Sequence, residues 1–225
     1  MSLSLVGECR ERCERALQRL DADQNTNARL RMQLQIGLGL TLVNTLGPSE
    51  QAQTVLTRAL EAADALGDLQ AQARVLSALS GLHVFRGEYG RATASVERLR
   101  QIADRIGDPS IAAFAERRMG TSLLTLGRLY EAQRCLERVL QFRLPGDEQP
   151  VWQRSDDRAM ARAMLSRALW LRGFADRAQS EGQASLDELE GAGHQLTLCR
   201  VLYYGICRVA PMTGDFATAE RMISA

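Results

Sequence analysis

Lysine is absent: all 28 basic residues are arginine. That excludes a P-loop, whose phosphate grip needs Gly-Lys-Ser/Thr, and it excludes a Schiff-base lysine. Arginine-only usage beside abundant Ala, Leu and Gly also fits a simple coding bias. Histidine is scarce: His83 and His194 lie far apart, and no Ser-His-Asp or Cys-His grouping can be built on them. Asp156/Asp157, the acidic pair with most claim to chemistry, stands at a helix start, where the helix dipole explains it. The five cysteines, Cys9, Cys13, Cys135, Cys199 and Cys207, include no Cys-x-x-Cys. Cys9 and Cys13 fall short of the four ligands a structural zinc needs. Most of the cysteines sit in apolar helical patterns, so they are expected to be reduced, buried thiols of a cytoplasmic protein. An excess of one charge is missing too. The formal net charge is +1, which offers no footprint for nucleic acid or an anionic membrane. No run approaches the roughly 18 apolar residues of a membrane span, and Glu8, Glu11 and Glu14 interrupt any signal-peptide core. Gly37-Leu38-Gly39 lacks the third glycine and preceding strand of a dinucleotide site. The expectation is a protein without catalysis, metal or cofactor.

What the chain has is a recurrence. A glycine is followed five positions later by an alanine at Gly47/Ala52, Gly87/Ala92, Gly127/Ala132, Gly173/Ala178 and Gly214/Ala219. An aromatic follows the glycine at Tyr89, Tyr130, Phe174 and Phe216. The glycines are 40, 40, 46 and 41 residues apart. Self-similarity at such a period means stacked units of helix and turn. No segment alternates with period two, so no sheet is expected.

Taken in order, residues 5–26 hold the leading helix of an earlier repeat, with its apolar stripe on Leu5, Val6, Cys9, Cys13, Leu17 and Leu20. Unit one spans 27–68, with helices at 27–46 and 49–66, and Asn25, Thr26, Asn27 and Ser49 are candidate caps. Unit two spans 69–109, with helices at 69–86 and 88–106. Asp108 caps the next helix and Pro109 suits its first turn. Unit three spans 110–155, with helices at 110–126 and 129–142. Its insertion, 143–154, carries Pro145, Gly146, Pro150 and Trp152, so it reads as a loop. Unit four spans 156–193, with helices at 156–172 and 175–191. Unit five, 194–225, is truncated: its first helix at about 194–210 is ended by Pro211, and its second stops early. The array is therefore expected to be part of a longer protein and to self-associate or fray at its C-terminal repeat.

The unit Gly-x-Tyr-x-x-Ala inside a helix-turn-helix resembles the tetratricopeptide (TPR) repeat. Gly87/Tyr89/Ala92 and Gly214/Phe216/Ala219 match all three positions. Gly127/Ala132 and Gly173/Ala178 match with the aromatic shifted, and Gly47/Ala52 lacks it. The family's small residue seven before the glycine is matched by Ser80, Gly120, Ser166 and Cys207, but not by Leu40. The period, about 40 residues against the family's 34, departs from the pattern. The long units, with Ala168 to Gly173 and Ala192 to His194, look like the arrays of bacterial signal-transduction ATPases and transcription regulators. The resemblance implies an all-α right-handed superhelix, an α-solenoid of stacked antiparallel helix pairs, and a role in binding a protein or peptide segment or a small effector.

In such a superhelix the first helices line the concave face. Counting from the turn glycines places Asn44 there in unit one and Arg74, Ser77 and Phe85 in unit two. Phe114, Arg117, Thr121 and Thr125 follow from unit three, Met160, Arg167 and Trp170 from unit four, and Tyr204 and Arg208 from unit five. Arginine with aromatic side chains is the mixture enriched at interface hot spots. The candidate groove is therefore Arg74, Phe85, Phe114, Arg117, Thr121, Arg167, Trp170, Tyr204 and Arg208, suited to an acidic or C-terminal peptide or an anionic effector. The plainer reading is that these arginines pair with nearby carboxylates. By the same reading Arg98/Arg100 and Arg117/Arg118 are solvated faces, balanced by Glu97 and Glu116. A stand-alone receptor for a signalling peptide or small anionic ligand is the alternative to an array inside a larger regulator.

Overall fold

The computed structural model describes residues 3–22, 27–142, 156–189 and 195–209, with 212, 214, 216, 217 and 220 beyond them. The insertion at 143–154 with Trp152, His194 and most of the final helix lie outside these. Among the described residues all regular structure is helical. The order is α1 (Leu3–Ala22), α2 (Ala28–Leu46), α3 (Glu50–Ala65), α4 (Leu69–Phe85), α5 (Tyr89–Ile106), α6 (Pro109–Thr125), α7 (Leu129–Gln141), α8 (Asp156–Leu171), α9 (Ala175–Asp187) and α10 (Gln195–Val201). A π-helical turn, Leu202–Ile206, then runs into α11 (Cys207–Val209).

The repeat is built on its turns. Gly87, Gly127 and Gly173 take φ of 74°, 75° and 86°, the left-handed region that favours glycine. In each of these turns the N–H of the next residue donates to the carbonyl four before the glycine: Glu88 to His83 (2.8 Å), Arg128 to Leu123 (2.9 Å) and Phe174 to Leu169 (2.9 Å). The bond closes the helix end and aims the chain back antiparallel. The first turn differs because Pro48 follows Gly47 and has no N–H to give. There Ser49 N–H donates to the Gly47 carbonyl instead (2.8 Å), and α3 starts three residues after the glycine rather than two. The crossing shifts with it. Gly39, not Leu40, is the small residue: a Cβ there would stand 2.5 Å from Leu56 Cδ2, as one at Gly120 would stand 2.7 Å from Leu136 Cγ.

The motif alanines mark these crossings. Ala52, Ala92, Ala132 and Ala178 are all 0% exposed, and Ser166 Oγ donates to the Ala178 carbonyl at 2.6 Å. Asn27, Ser49 and Asp108 cap their helices as the sequence suggests, accepting from Leu30, Ala52 and Ser110 N–H. Asp68, which the sequence reading did not single out as a cap, accepts from Ala71 N–H in the same way.

The chain divides into two compact units, Met1–Gly107 and Asp108–Ala225. In the first, α2 and α4 lie side by side and each packs on the helices before and after it. Its core is Met32, Ile36, Leu42, Leu56, Val75 and Leu82 with their neighbours. In the second, α6, α8 and the α10–π-turn segment form one layer, with α7 and α9 packed against it.

Ion pairs tie successive repeats. Arg29 Nη1 reaches Asp68 Oδ2 at 3.1 Å, and Arg177 Nη2 reaches Glu137 Oε1 at 3.2 Å. Arg98 is one of these ties: it stays on an exposed face as expected, but its partner is Asp64 on α3, with Nη2 2.5 Å from Oδ1, in place of Glu97. Arg100 takes Glu97. The cysteine expectation holds for Cys13 and Cys135, which are buried, and fails for Cys9 and Cys199, which are exposed. Two thiols four residues apart differ by about 40° around a helix, and α1 is covered along only a narrow stripe. Burial, then the Cys9 neighbour, pushes the Cys13 thiol up, away from the reactive thiolate form.

Candidate functional site

The candidate residues divide between the two units. Arg74 and Phe85 belong to the first, where both are exposed on α4. Asn44 is exposed and donates to the Leu40 carbonyl. His83, expected to be structural, lies with Nδ1 2.7 Å from Glu88 Oε2, and Arg86 Nε donates to the same carboxylate at 2.9 Å. These bonds, His83 first, hold the Glu88 carboxyl below the usual carboxylate range. The cluster ties the end of α4 to the start of α5.

The second unit gathers more. Arg117 on α6 is not a solvated residue balanced by Glu116. Its Nε donates to Asp157 Oδ1 at 2.5 Å, and the two side chains are only 11% and 10% exposed. Asp157 is thus a partner for an arginine one repeat away as well as a residue of a helix start. Glu116 instead accepts two bonds from Arg138 on α7, at 3.0 and 2.6 Å. Phe114 stands one turn before Arg117, whose guanidinium lies 5.1 Å from the ring centroid, with that of Arg118 at 6.0 Å. Thr121 Oγ1 donates to the Arg117 carbonyl and stiffens that turn.

Arg118 is the residue the sequence reading passed over. Part of its surface is accessible, but the group lies deep in the unit. Burial pushes its pKa down to about 9, reinforced by Arg117 and Arg200 and opposed by Asp157 and Tyr204. A guanidinium is ordinarily charged at any accessible pH, so the shift measures how poorly this place replaces water around a cation. Arg117, Arg118 and Arg200 therefore share one neighbourhood with Asp157 and Tyr204.

The sequence reading missed Arg200 for a geometric reason. Counted back from the turn glycines, Arg74, Phe114 and Met160 share one step, thirteen before, and Val201 falls on it in unit five. Val201 is fully buried and Arg200 exposed. The π-helical turn holds one residue more than an α-turn would, so Arg200 takes that step instead. The signal was present as the 41-residue spacing to Gly214. Within the π-turn Gly205 packs on Ala163, where a Cβ would stand 2.8 Å from the Ala163 Cβ. Tyr203 and Tyr204 pack edge to face at 4.9 Å.

Arg167 and Trp170 are half-buried on α8. Arg208 lies on α11, its side chain outside the described residues. Thr125 is exposed, and Met160 is buried. The structure thus sets Phe114 beside Arg117 and Arg118, ties Arg117 to Asp157, bonds Thr121 back to the Arg117 carbonyl, and leaves Tyr204 and Arg200 in the electrostatic surroundings of Arg118. Among the described residues no group of His, Cys, Asp or Glu is arranged to hold a metal ion, and no helix is long and apolar enough to cross a membrane.

A second cluster lies at the turns. The Arg172 guanidinium sits 5.2 Å from the Tyr130 ring and 5.1 Å from the Phe174 ring, clasped between the motif aromatics of successive repeats. It also donates to the Gln133 side chain.

No family model and no curated protein matches the sequence. Solved structures do match. BtubC (BKLC) from P. vanneervenii superposes with a TM-score of 0.61 over 99% of this chain and 87% of that one, at 16% identity. MamA (AMB-1) superposes with a TM-score of 0.52 over 84% of this chain and 95% of that one, at 18% identity. The likeness is one of fold: the chain is an all-α solenoid of TPR-like helical repeats.

Proposed function

We propose that the chain is a protein-interaction or effector-sensing repeat domain without catalysis, one part of a larger cytoplasmic bacterial regulator of the signal-transduction ATPase or transcription-factor kind. It takes an acidic or C-terminal peptide segment, or a small anionic effector, on the face shared by α6, α8 and α10. The sequence candidates Arg167, Trp170 and Arg208 of the second unit extend the proposed contact surface, and Arg74 and Phe85 are proposed as contact residues of the first unit on its own.

The observation that carries this reading is the pairing of arginines with an aromatic ring at Phe114, Arg117 and Arg118. Arg117 is held in place by Asp157, and its neighbour Arg118 keeps its charge in a place that disfavours it. Fixed guanidiniums beside a half-buried ring suit bidentate recognition of carboxylate with apolar anchoring.

The test is fluorescence anisotropy of a labelled acidic peptide with a free C-terminus, beside a lysine-rich peptide of equal length. The acidic peptide is expected to bind, to weaken as salt is raised, and to bind Arg167→Ala less tightly without a change in melting temperature. Equal binding of both peptides, or of neither, overturns the reading.

A further inference from the structure

We infer that the turn edge of the second unit, where Arg172 meets the rings of Tyr130 and Phe174 and Arg134 lies over the same Tyr130 ring, is a docking surface for an acidic segment of a partner protein. The inference does not depend on the reading above.

Geometry is the first argument. The Arg172 guanidinium lies 5.2 Å from the Tyr130 ring centroid and 5.1 Å from that of Phe174. Gln133, buried and itself bonded to Glu137 at 2.6 Å, accepts one of its N–H groups. The guanidinium is thus fixed in place, and a pre-organised fork loses little freedom when it meets a carboxylate. Among the described residues no carboxylate accepts from it.

Charge is the second. Arg134 is exposed, with its guanidinium 6.0 Å from the Tyr130 ring, and it too has no carboxylate partner among the described residues. The neighbouring arginines are already engaged, Arg128 by Glu131 and Arg177 by Glu137. Two guanidiniums therefore stand around one exposed ring with no carboxylate in contact, and a short acidic segment complements them. Glu131 and Asp176, in the first turns of α7 and α9, oppose a long run of phosphates and so favour a protein segment over nucleic acid.

The third argument is a matched turn in the first unit. Arg86 precedes Gly87 as Arg172 precedes Gly173. There the residue after the glycine is Glu88, which accepts from Arg86 at 2.9 Å. In the second unit that residue is Phe174. Glu88 and Phe174 close their turns with the same backbone bond, so the turn itself requires neither side chain. What Phe174 changes is the arginine: it loses a carboxylate and gains a ring.

The surroundings say what else the segment carries. Tyr130 is 60% and Phe174 42% exposed, and Leu126 and Leu171 of the same two turns are exposed as well. Arginine among exposed aromatics is the mixture enriched at hot spots, and it suits a segment that sets an apolar residue between its acidic ones.

The experiment uses the 225-residue chain and a short fluorescent peptide, amidated at its C-terminus, in which glutamates flank two leucines. The same peptide with glutamine for glutamate is the control. Anisotropy is expected to show binding of the acidic peptide and much weaker binding of the control. Arg172→Gln should weaken binding about tenfold, the loss of one charge-assisted contact, and Arg134→Gln and Tyr130→Ala should weaken it about threefold each. Arg86→Gln, the matched change in the first unit, should leave it unchanged. Arg134 is exposed, so its variant remains informative if Arg172→Gln folds poorly. No binding, equal binding of the glutamine peptide, or binding unchanged in Arg134→Gln and Arg172→Gln overturns the inference. A dimer in sedimentation that Arg134→Gln abolishes assigns the edge to a second copy of the chain and also overturns it, as does tighter binding of a single-stranded oligonucleotide that the same variant weakens. Loss of binding in Arg167→Ala, with none in Arg172→Gln or Arg134→Gln, overturns the inference and leaves the reading above standing.

Discussion

Ser77-Ala78 in the first unit and Arg117-Arg118 in the second occupy the same steps of the same repeat, ten and nine residues before the turn glycine. Around them the scaffold is alike: Gly87 and Gly127 close the turn with the same bond, and Ala92 and Ala132 are equally buried. What differs is the chemistry on the free face of the first helix. In the first unit arginines serve the edges, as Arg29 and Arg98 do. In the second Arg177 does the same, but Arg117 and Arg118 are drawn inward. A repeat array separates two demands that a globular core mixes: the crossings hold the fold, and the steps between them are open to specialisation.

The largest expected effect attacks what the units share. Ala92→Glu and Ala132→Glu place a carboxylate where two helices touch, adding overpacking and desolvation. Each should cost about 4 kcal/mol in urea unfolding, and by similar amounts. A wild-type melting curve for either one means the repeat register is misassigned.

The next separates the units. Arg117→Ala leaves Asp157 buried without its partner and should cost about 3 kcal/mol. Ser77→Ala, at the equivalent step, should stay within about 0.5 kcal/mol. Equal losses would end the distinction drawn here.

The smallest effect is at the turns. Arg172→Ala removes a guanidinium stacked between Tyr130 and Phe174 and should cost about 1 kcal/mol. Arg86→Ala, at the matching position in the first unit, only releases Glu88 from one of its bonds and should leave the melting temperature unchanged. Equal shifts would mean that the stacking contributes nothing.

The scaffold was legible because its signals are local. A left-handed glycine, a cap such as Ser49 or Asp108, and an alanine at fixed spacing each act within a turn or two. The proline at 48 was readable as a sharp turn, but its lost N–H also moved the crossing from Leu40 to Gly39, which needs the bonds of the neighbouring turns to see. The candidate face was legible in part. Phe114, Arg117 and Tyr204 came from counting, whereas Arg118 looked like an exposed residue and Arg200 was one step out of count. The partner of Arg117 lies 40 positions away at Asp157, and Arg98 finds Asp64 across 34. Such pairs depend on how one repeat lies on the next, and local spacing does not carry that information.

The π-helical turn at Leu202–Ile206 has a consequence for how such a sequence tolerates insertion and deletion. A residue added inside a helix normally rotates everything on one side of it by about 100°, and so ruins an interface. Here the added residue is held in a widened turn. The upstream stretch keeps its register on the repeat, and Arg200 takes the step that plain counting gives to Val201. Losing one residue from this segment would return the spacing to 40 and leave Arg200 thirteen before the glycine by ordinary α-helical count. A one-codon deletion, ordinarily among the harshest changes to a helix, would here keep both the repeat and its arginine on the same step.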